Sequence, residues 1–172
     1  MIRKVTQIEQ PCFGEYEERI YDIESPWNSS DWTWIVIEED ASVWCGEFRG
    51  KYRGTVISEK IGITIVLTSD YLYVLDNLNA EIIEYESSPQ YNQVSCTPYG
   101  DILLADYYGL DVLRERELKS IDSIILPINA DELKLVRYEG KYLVMESTEI
   151  CNWEKTYILK LDCESLEIAE CN

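Results

Sequence analysis

Short runs of alternating apolar and polar residues dominate the chain. Each run covers five to eight residues, is rich in β-branched and aromatic side chains, and is bounded by Gly, Pro, Asn, Asp or Ser. No helical period of 3.6 residues is sustained; the best exception, residues 113–121, fits a polar hairpin equally well. We therefore predict an all-β protein, with strands at 32–38, 42–48, 63–69, 71–76, 80–86, 101–107, 132–138, 141–147, 156–162 and 165–170.

Two internal similarities suggest that the strands form repeated units. Residues 75–84 (LDNLNAEIIE) align with 161–170 (LDCESLEIAE), and residues 65–75 (IVLTSDYLYVL) resemble 102–113 (ILLADYYGLDVL). Each copy reads as strand, tight turn, strand, Asp-led turn, strand, and the copies recur about every 36 to 45 residues. This pattern predicts antiparallel meanders.

The repeat resembles those of β-propeller proteins, in particular the YVLD…G strand and turn of the quinoprotein-like and WD-repeat families. The resemblance covers residues 62–170, although both Asp-led turns lack the expected Gly and no WD dipeptide occurs. It implies blades of four antiparallel strands. A β-sandwich or an open barrel-like sheet is the alternative, because about four blades are the small limit for a closed ring. We expect one domain over 1–172, with non-repeat strands in 1–60 and repeat-like units in 61–172.

The N-terminal third has two local clusters. Three tryptophans, Trp27, Trp32 and Trp34, lie within eight residues; we predict that Trp34 faces the core and that Trp32 closes one end of it, with an aromatic ligand platform as the alternative. Arg49, Lys51 and Arg53 follow at alternate positions. In one strand they would share a face and protect an edge, or they would contact the acidic residues of this chain or of a second copy.

Charge points to the class of partner. The net charge is −18 and the pI about 4.2, so the protein repels nucleic acid and anionic membranes and attracts cationic proteins. Residues 61–113 contain no lysine or arginine, but they contain eight acids and seven of the 13 tyrosines. A solvated surface normally mixes both signs of charge, so this stretch is the candidate surface for a basic partner.

The residue types present exclude most catalytic chemistry. There is no histidine, which removes Ser-His-Asp and Cys-His nucleophiles and histidine-bound metals. The six cysteines form no C-x-x-C pair, and no glycine-rich phosphate loop occurs. We therefore predict a non-enzymatic protein without cofactor or metal. No apolar run suits a signal peptide or a membrane span, which predicts a cytoplasmic protein with reduced thiols, mostly in the core, rather than three disulfides.

These observations define a candidate binding surface at the strand ends of two consecutive repeats. Tyrosine offers a large rigid contact area, and carboxylates beside it attract Arg and Lys. A compact acidic domain without catalytic groups is similar to the immunity proteins that neutralise bacterial toxins, which implies that it covers the basic active site of a toxin such as a nuclease. The alternatives are a β-repeat scaffold completed by homodimerisation and an acidic DNA mimic. The predicted contact residues are Asp70, Tyr71, Tyr73, Asp101, Asp106, Tyr107, Tyr108 and Asp111.

Overall fold

The computed structural model describes residues 1–171, which contain sixteen β-strands in four four-stranded sheets. The one helical element in these residues is a 3-10 turn at Leu118–Ser120. No helix in this part of the chain is long and apolar enough to cross a lipid bilayer. The chain divides into two compact units, Met1–Pro89 (unit 1) and Gln90–Asn172 (unit 2). The prediction of an all-β protein built from four-stranded sheets is confirmed.

Unit 1 contains sheets A and B. Sheet A comprises β1 (Ile2–Ile8), β2 (Glu17–Tyr21), β3 (Trp32–Glu39) and β4 (Val43–Arg49). Its order is β1-β3-β4-β2, and β2 pairs with β4 in parallel, which an antiparallel meander does not include. The reason is topological: the connection at residues 22–31 leaves the outer strand β2 and crosses to β3. Sheet B is a simple antiparallel meander of β5 (Tyr52–Ser58), β6 (Ile63–Thr68), β7 (Tyr71–Asp76) and β8 (Ile82–Ser87).

Unit 2 contains sheets C and D, and both are antiparallel meanders. Sheet C comprises β9 (Gln93–Cys96), β10 (Ile102–Ala105), β11 (Leu110–Leu113) and β12 (Asp122–Ile124). Sheet D comprises β13 (Ala130–Glu139), β14 (Tyr142–Glu149), β15 (Asn152–Asp162) and β16 (Ile168–Cys171). Sheets B, C and D begin at residues 52, 93 and 130, which agrees with the repeat length read from the sequence. The first meander thus starts at Tyr52, ahead of the predicted boundary at residue 60.

The Asp-led turns share one geometry, which confirms the alignment of 75–84 with 161–170. Asp76 and Asp162 each end the third strand of their sheet, and each carboxylate accepts a hydrogen bond from the N–H two residues on, at 2.7 and 3.0 Å. The residue four positions on, Ala80 or Leu166, has a φ of 59° in both turns. The left-handed conformation that usually favours Gly is therefore present, although Gly itself is absent.

Each unit buries its own apolar cluster. In unit 1 the cluster includes Trp44, Phe48, Tyr71 and Tyr73. Strand alternation directs Ile35 and Ile37, both fully buried, into this core, whereas Trp34 is only half-buried; the prediction for Trp34 is wrong by one position of register. In unit 2 the cluster is mainly aliphatic and includes Leu103, Val112, Met145 and Leu159. Fully burying one such side chain stabilises a fold by about 1.5–3 kcal/mol.

The basic cluster at residues 49–53 does not form one strand. Arg49 ends β4 and Arg53 lies in β5, because Gly50, with a φ of 101°, turns the chain between them. A Cβ at this position would lie 2.6 Å from Thr68 Oγ1 and 2.8 Å from the backbone nitrogen of Asp70. The three cations therefore do not share a strand face.

Of the two interpretations of residues 113–121, the polar hairpin describes the structure, because β11 and β12 pair antiparallel across this segment. Leu113 ends β11, and only the short 3-10 turn forms within the segment. The described cysteine side chains are free thiols: Cys45 and Cys163 are buried, Cys96 is partly buried, and Cys12 and Cys151 are exposed. The prediction of mostly core cysteines is therefore too broad.

Candidate functional site

The turn between β10 and β11 in unit 2 presents two of the predicted tyrosines to solvent. Four residues, 106–109, separate the two strands, and we call them the tyrosine turn. The carboxylate of Asp106 accepts hydrogen bonds from the N–H groups of Tyr108, at 2.7 Å, and Gly109, at 2.6 Å. Aspartate commonly fixes a turn by bonding to the backbone that follows it. Asp106 therefore holds the turn closed.

Tyr107 and Tyr108 are exposed side by side on this fixed turn. They retain 56% and 62% of their accessible surface, and their rings lie edge to face with centroids 6.3 Å apart. The Tyr107 carbonyl accepts a hydrogen bond of 3.0 Å from the N–H of Leu133, a core residue of β13. The turn is thus attached to sheet D as well as to its own hairpin.

A concave region of about 300 Å³ lies beside Tyr108. Its other walls include Ile124 of β12, Ile128 and Asn129 before β13, and Ile150 in the β14–β15 turn. The N–H of Ile150 donates to the Asn129 carbonyl at 2.9 Å, which joins these two loops. Ile150 remains 49% exposed. Aromatic and aliphatic surface therefore surrounds a hollow at one end of unit 2.

Carboxylates at this end of unit 2 are hydrogen-bonded to neutral groups. Asp131 accepts from the indole N–H of Trp153 at 2.7 Å, and Glu149 accepts from the Tyr157 hydroxyl at 3.0 Å. In the part of the chain that the structure describes, neither residue nor Asp106 forms an ion pair with a lysine or arginine. Hydrogen bonds from neutral donors leave the negative charge of these carboxylates in place.

The other two predicted residues of unit 2 lie elsewhere. Asp101 is 7% exposed at the start of β10, at the opposite end of that strand from Asp106. Asp111 pairs with Leu104 in the ladder and accepts a hydrogen bond of 2.7 Å from the Tyr91 hydroxyl. Alternation places Asp111 on the opposite face of sheet C from Val112. Of the five predicted residues in unit 2, only the three adjacent ones share a site.

The predicted tyrosines of unit 1 belong to its core. Tyr71 is 2% exposed and Tyr73 is fully buried. The Tyr73 hydroxyl donates to the Tyr21 carbonyl at 3.1 Å, and the Tyr71 hydroxyl donates to the side chain of Asn28. Both residues are therefore corrected from contact residues to core residues, because a two-residue turn places them inside strand β7.

Asp70 precedes these tyrosines and is half-buried. Its carboxylate accepts hydrogen bonds of 2.7 Å from the Ser29 N–H and from the Ser69 hydroxyl. Burial opposes its ionisation, but these hydrogen bonds and the nearby charge of Arg49 outweigh burial and hold the pKa of Asp70 below its usual value. Arg49 itself forms its ion pair with Asp22, at 2.6 Å.

Sequence reasoning missed Ile150 and the Trp153–Asp131 pair. Ile150 follows β14 and Trp153 is the second residue of β15, in a stretch whose composition does not separate them from their neighbours. Their position depends on the β14–β15 turn, where Cys151 has a φ of 66°. The position of an aromatic residue next to a turn is the sequence signal that could have indicated Trp153.

Comparison with known proteins finds matches among solved structures. No protein-family model and no curated protein matches the chain. Two solved structures resemble it: the crystal structure of the N-terminal domain of Nup159, with a TM-score of 0.48, 12% identity and 72% of this chain covered, and S. cerevisiae Dbp5 bound to Nup159, Gle1, IP6 and ADP, with a TM-score of 0.45, 12% identity and 90% covered. The chain spans only 34% and 43% of the length of those matched chains.

Proposed function

We propose that the protein is a non-enzymatic binding module that contacts a basic protein partner through the tyrosine turn. The observation that supports this most directly is the pair Tyr107 and Tyr108, exposed together on a turn that Asp106 fixes. Binding lowers the conformational entropy of an exposed tyrosine. Because hydrogen bonds to Asp106 already fix the backbone of this turn, less entropy is lost when a partner binds. Carboxylates paired only with neutral donors supply the electrostatic attraction.

The biological role we propose is inhibition of a toxin. A partner whose active site binds nucleic acid carries a cleft rich in lysine and arginine, and a partner of that kind suits both the net charge of −18 and the carboxylates near the tyrosine turn. Binding there would block the cleft by occupancy, without chemistry on either side. The protein would then act as an immunity protein for a nuclease-type toxin.

Capture of basic proteins from a lysate of the source organism tests this proposal. The wild-type chain should recover a basic protein, recovery should fall as salt rises, and Tyr107→Ser with Tyr108→Ser should reduce it at least tenfold. The matched control is Tyr99→Ser with Tyr142→Ser, which removes two exposed tyrosines (42% and 39%) outside the tyrosine turn.

The inhibitory role needs a second measurement. If the captured protein is a nuclease, the wild-type chain should slow its cleavage of DNA or RNA, and the Tyr107→Ser, Tyr108→Ser variant should not. Recovery of no basic partner, or equal recovery by the two double variants, would overturn the proposal.

A second candidate function, a scaffold completed by homodimerisation, is supported by strand β8. This strand ends sheet B and exposes Ile82, Ile83 and Tyr85 at 37%, 41% and 47%. A terminal strand with exposed apolar side chains is a template for pairing with another chain, although β8 also carries Glu84 and Glu86. Light scattering tests this: a dimer that resists salt and dissociates on Ile83→Lys supports the scaffold, and a monomer at all concentrations excludes it.

A further inference from the structure

A small polar cavity in unit 1 has the composition of a site for one cationic side chain. It measures about 140 Å³ and lies between the loop at residues 22–31, the β6–β7 turn and the end of β8, with Trp27 and Asp70 among its walls. Ligand pockets for organic molecules usually measure about 300–1,000 Å³. The cavity is therefore suited to a single side chain rather than to a cofactor or a metabolite.

Among the lining residues, which include four serines, are one indole and one carboxylate. Trp27 is 88% exposed, so its ring is available to a ligand. The Asp70 carboxylate accepts hydrogen bonds of 2.7 Å from the Ser69 hydroxyl and from the Ser29 N–H, and the Ser29 side chain also interacts with it. The depressed pKa of Asp70 keeps the group ionised at neutral pH. The cavity thus combines an aromatic face with a fixed negative charge.

Elsewhere in unit 1, an arginine of the chain itself contacts a tryptophan and an aspartate. The guanidinium of Arg49 lies 3.7 Å from the centroid of the Trp32 ring. It also donates to both oxygens of Asp22, through Nη2 at 2.6 Å and Nε at 3.1 Å. A planar guanidinium can stack on an aromatic ring and bind a carboxylate in the ring plane at once. The cavity has the same two residue types, Trp27 and Asp70, but no arginine of this chain lines it.

The local charges leave room for one more cation. Arg49 contributes to the low pKa of Asp70, but its hydrogen-bonded ion pair is with Asp22. Together, the carboxylates of Asp22 and Asp70 and the guanidinium of Arg49 leave one negative charge in excess. Among the described residues Asp70 forms no ion pair of its own, so its carboxylate could form one with an incoming cation.

We propose that the Trp27–Asp70 cavity binds one arginine side chain of a partner protein, with the guanidinium stacked on Trp27 and hydrogen-bonded to Asp70. The identity of the occupant as part of a protein rests on the proposed function, because that function requires a basic partner. Arginine is favoured over lysine because the ammonium group is a compact point charge that neither stacks on an indole nor binds both carboxylate oxygens in one plane.

Nuclear magnetic resonance on the full chain tests the site without knowing the partner. The probe is N-acetyl-arginine methylamide, added at constant ionic strength, with N-acetyl-citrulline methylamide as its neutral isostere and N-acetyl-lysine methylamide as the competing cation. We expect saturable shifts of the Trp27 indole N–H and the Asp70 amide with the arginine probe, at a Kd on the order of 10 mM. The lysine probe should bind several-fold more weakly, and the citrulline probe should cause no saturable shift.

Variants separate the site from general attraction to an acidic protein. Trp27→Ala, at an exposed position, and Asp70→Asn should each abolish the saturable shift of the amide at residue 70. The matched control, Trp153→Ala, removes another exposed tryptophan next to a carboxylate and should leave the shift unchanged. Equal shifts with citrulline, equal affinity for lysine, or shifts that persist in Trp27→Ala would overturn the proposal.

This outcome is distinguishable from that of the proposed function. If the probe does not bind but the Tyr107→Ser, Tyr108→Ser variant loses its partner, the arginine site fails and the proposed function stands. If the probe binds as expected but that variant captures its partner normally, the arginine site stands and the tyrosine turn does not.

Discussion

The Asp70 turn of unit 1 and the Asp106 turn of unit 2 occupy the same position in their sheets, between the second and third strands. Both carry Asp followed by Tyr, yet Tyr71 is 2% exposed and Tyr107 is 56% exposed. The difference is turn length: two residues separate β6 from β7, and four separate β10 from β11. Two extra residues therefore convert a core tyrosine into a surface tyrosine, which makes turn length the feature that creates the candidate site.

The largest predicted effect concerns stability: replacing Tyr73 should lower the free energy of unfolding far more than replacing Tyr107. Tyr73 is fully buried and packs edge-on against Phe48, with ring centroids 5.3 Å apart. Tyr73→Ala should lower the free energy of unfolding by about 3–5 kcal/mol, as for other large core aromatics, and Tyr107→Ala should change it by less than about 0.5 kcal/mol. Urea denaturation measures both. Similar losses in the two variants would show that the two turns do not differ as described.

A deletion makes the comparison direct. Removing Tyr107 and Tyr108 leaves Asp106-Gly109, a sequence suited to a two-residue hairpin turn, and so gives sheet C the turn length of sheet B. The N–H of Leu133 loses its acceptor, the Tyr107 carbonyl, so we expect a loss of about 1–3 kcal/mol together with loss of partner capture.

The control for this deletion keeps the backbone. Tyr107→Ser with Tyr108→Ser retains the carbonyl that Leu133 uses, so it should lose capture while its urea midpoint stays that of the wild type. If the deletion variant still captures the partner, the tyrosine turn is not the contact surface.

The sequence predicted the strands and turns better than it predicted that Tyr71 is buried and Tyr107 is exposed. Alternation predicted the bounds of β7 to the residue, and the Asp-led turns at Asp76 and Asp162 were found by simple alignment. These features are local, because strand period and turn chemistry act over a few residues. Burial depends on register. The dipeptide Asp-Tyr is the same whether the tyrosine begins a strand, as Tyr71 does, or lies in a turn, as Tyr107 does, so the sequence does not distinguish the two.

Contacts between residues that are distant in the sequence could not be predicted either. The parallel pairing of β2 with β4 joins residues about 27 positions apart in sequence, and nothing in either strand encodes its direction. The pairing of Trp153 with Asp131 likewise depends on how β13, β14 and β15 come together. A single sequence specifies the elements more strongly than their partners.

Removing the Asp106 carboxylate, which closes the tyrosine turn, should destabilise the fold less than the deletion of Tyr107 and Tyr108. Asp106→Ala removes the acceptor for two backbone N–H groups and should cost about 1–2 kcal/mol, since hydrogen bonds to a partly exposed carboxylate are weaker than buried ones. Asp106→Asn keeps one oxygen acceptor and should cost less than half as much. Hydrogen exchange at the Tyr108 amide reports the same change locally. Exchange that is equally slow in Asp106→Ala and the wild type would contradict the assignment.

The smallest predicted effect is a pH dependence confined to the Asp70 turn. The pKa of Asp70 lies below its ordinary value of 3.8, with burial outweighed by hydrogen bonds from Ser69 and Ser29 and by Arg49. A depressed carboxyl pKa stabilises the folded state above the unfolded pKa, and this stabilisation is lost as pH falls through the folded pKa. The difference in unfolding free energy between the wild type and Asp70→Asn should therefore be constant from pH 7 to about pH 5 and shrink below about pH 4.

Other carboxylates with lowered pKa values, such as Asp22 and Asp162, also lose stabilisation in acid, but they do so in both proteins and cancel in the difference. Asp22→Asn is the informative companion, because Arg49 then loses its ion-pair partner and its charge is no longer shared between two carboxylates. In the Asp22→Asn background, the Asp70→Asn substitution should therefore cost more at pH 7 than it does in the wild type. A difference that stays constant down to pH 3 would mean that Asp70 has the same pKa in the folded and unfolded states, and that the cost of Asp70→Asn comes from packing rather than from charge.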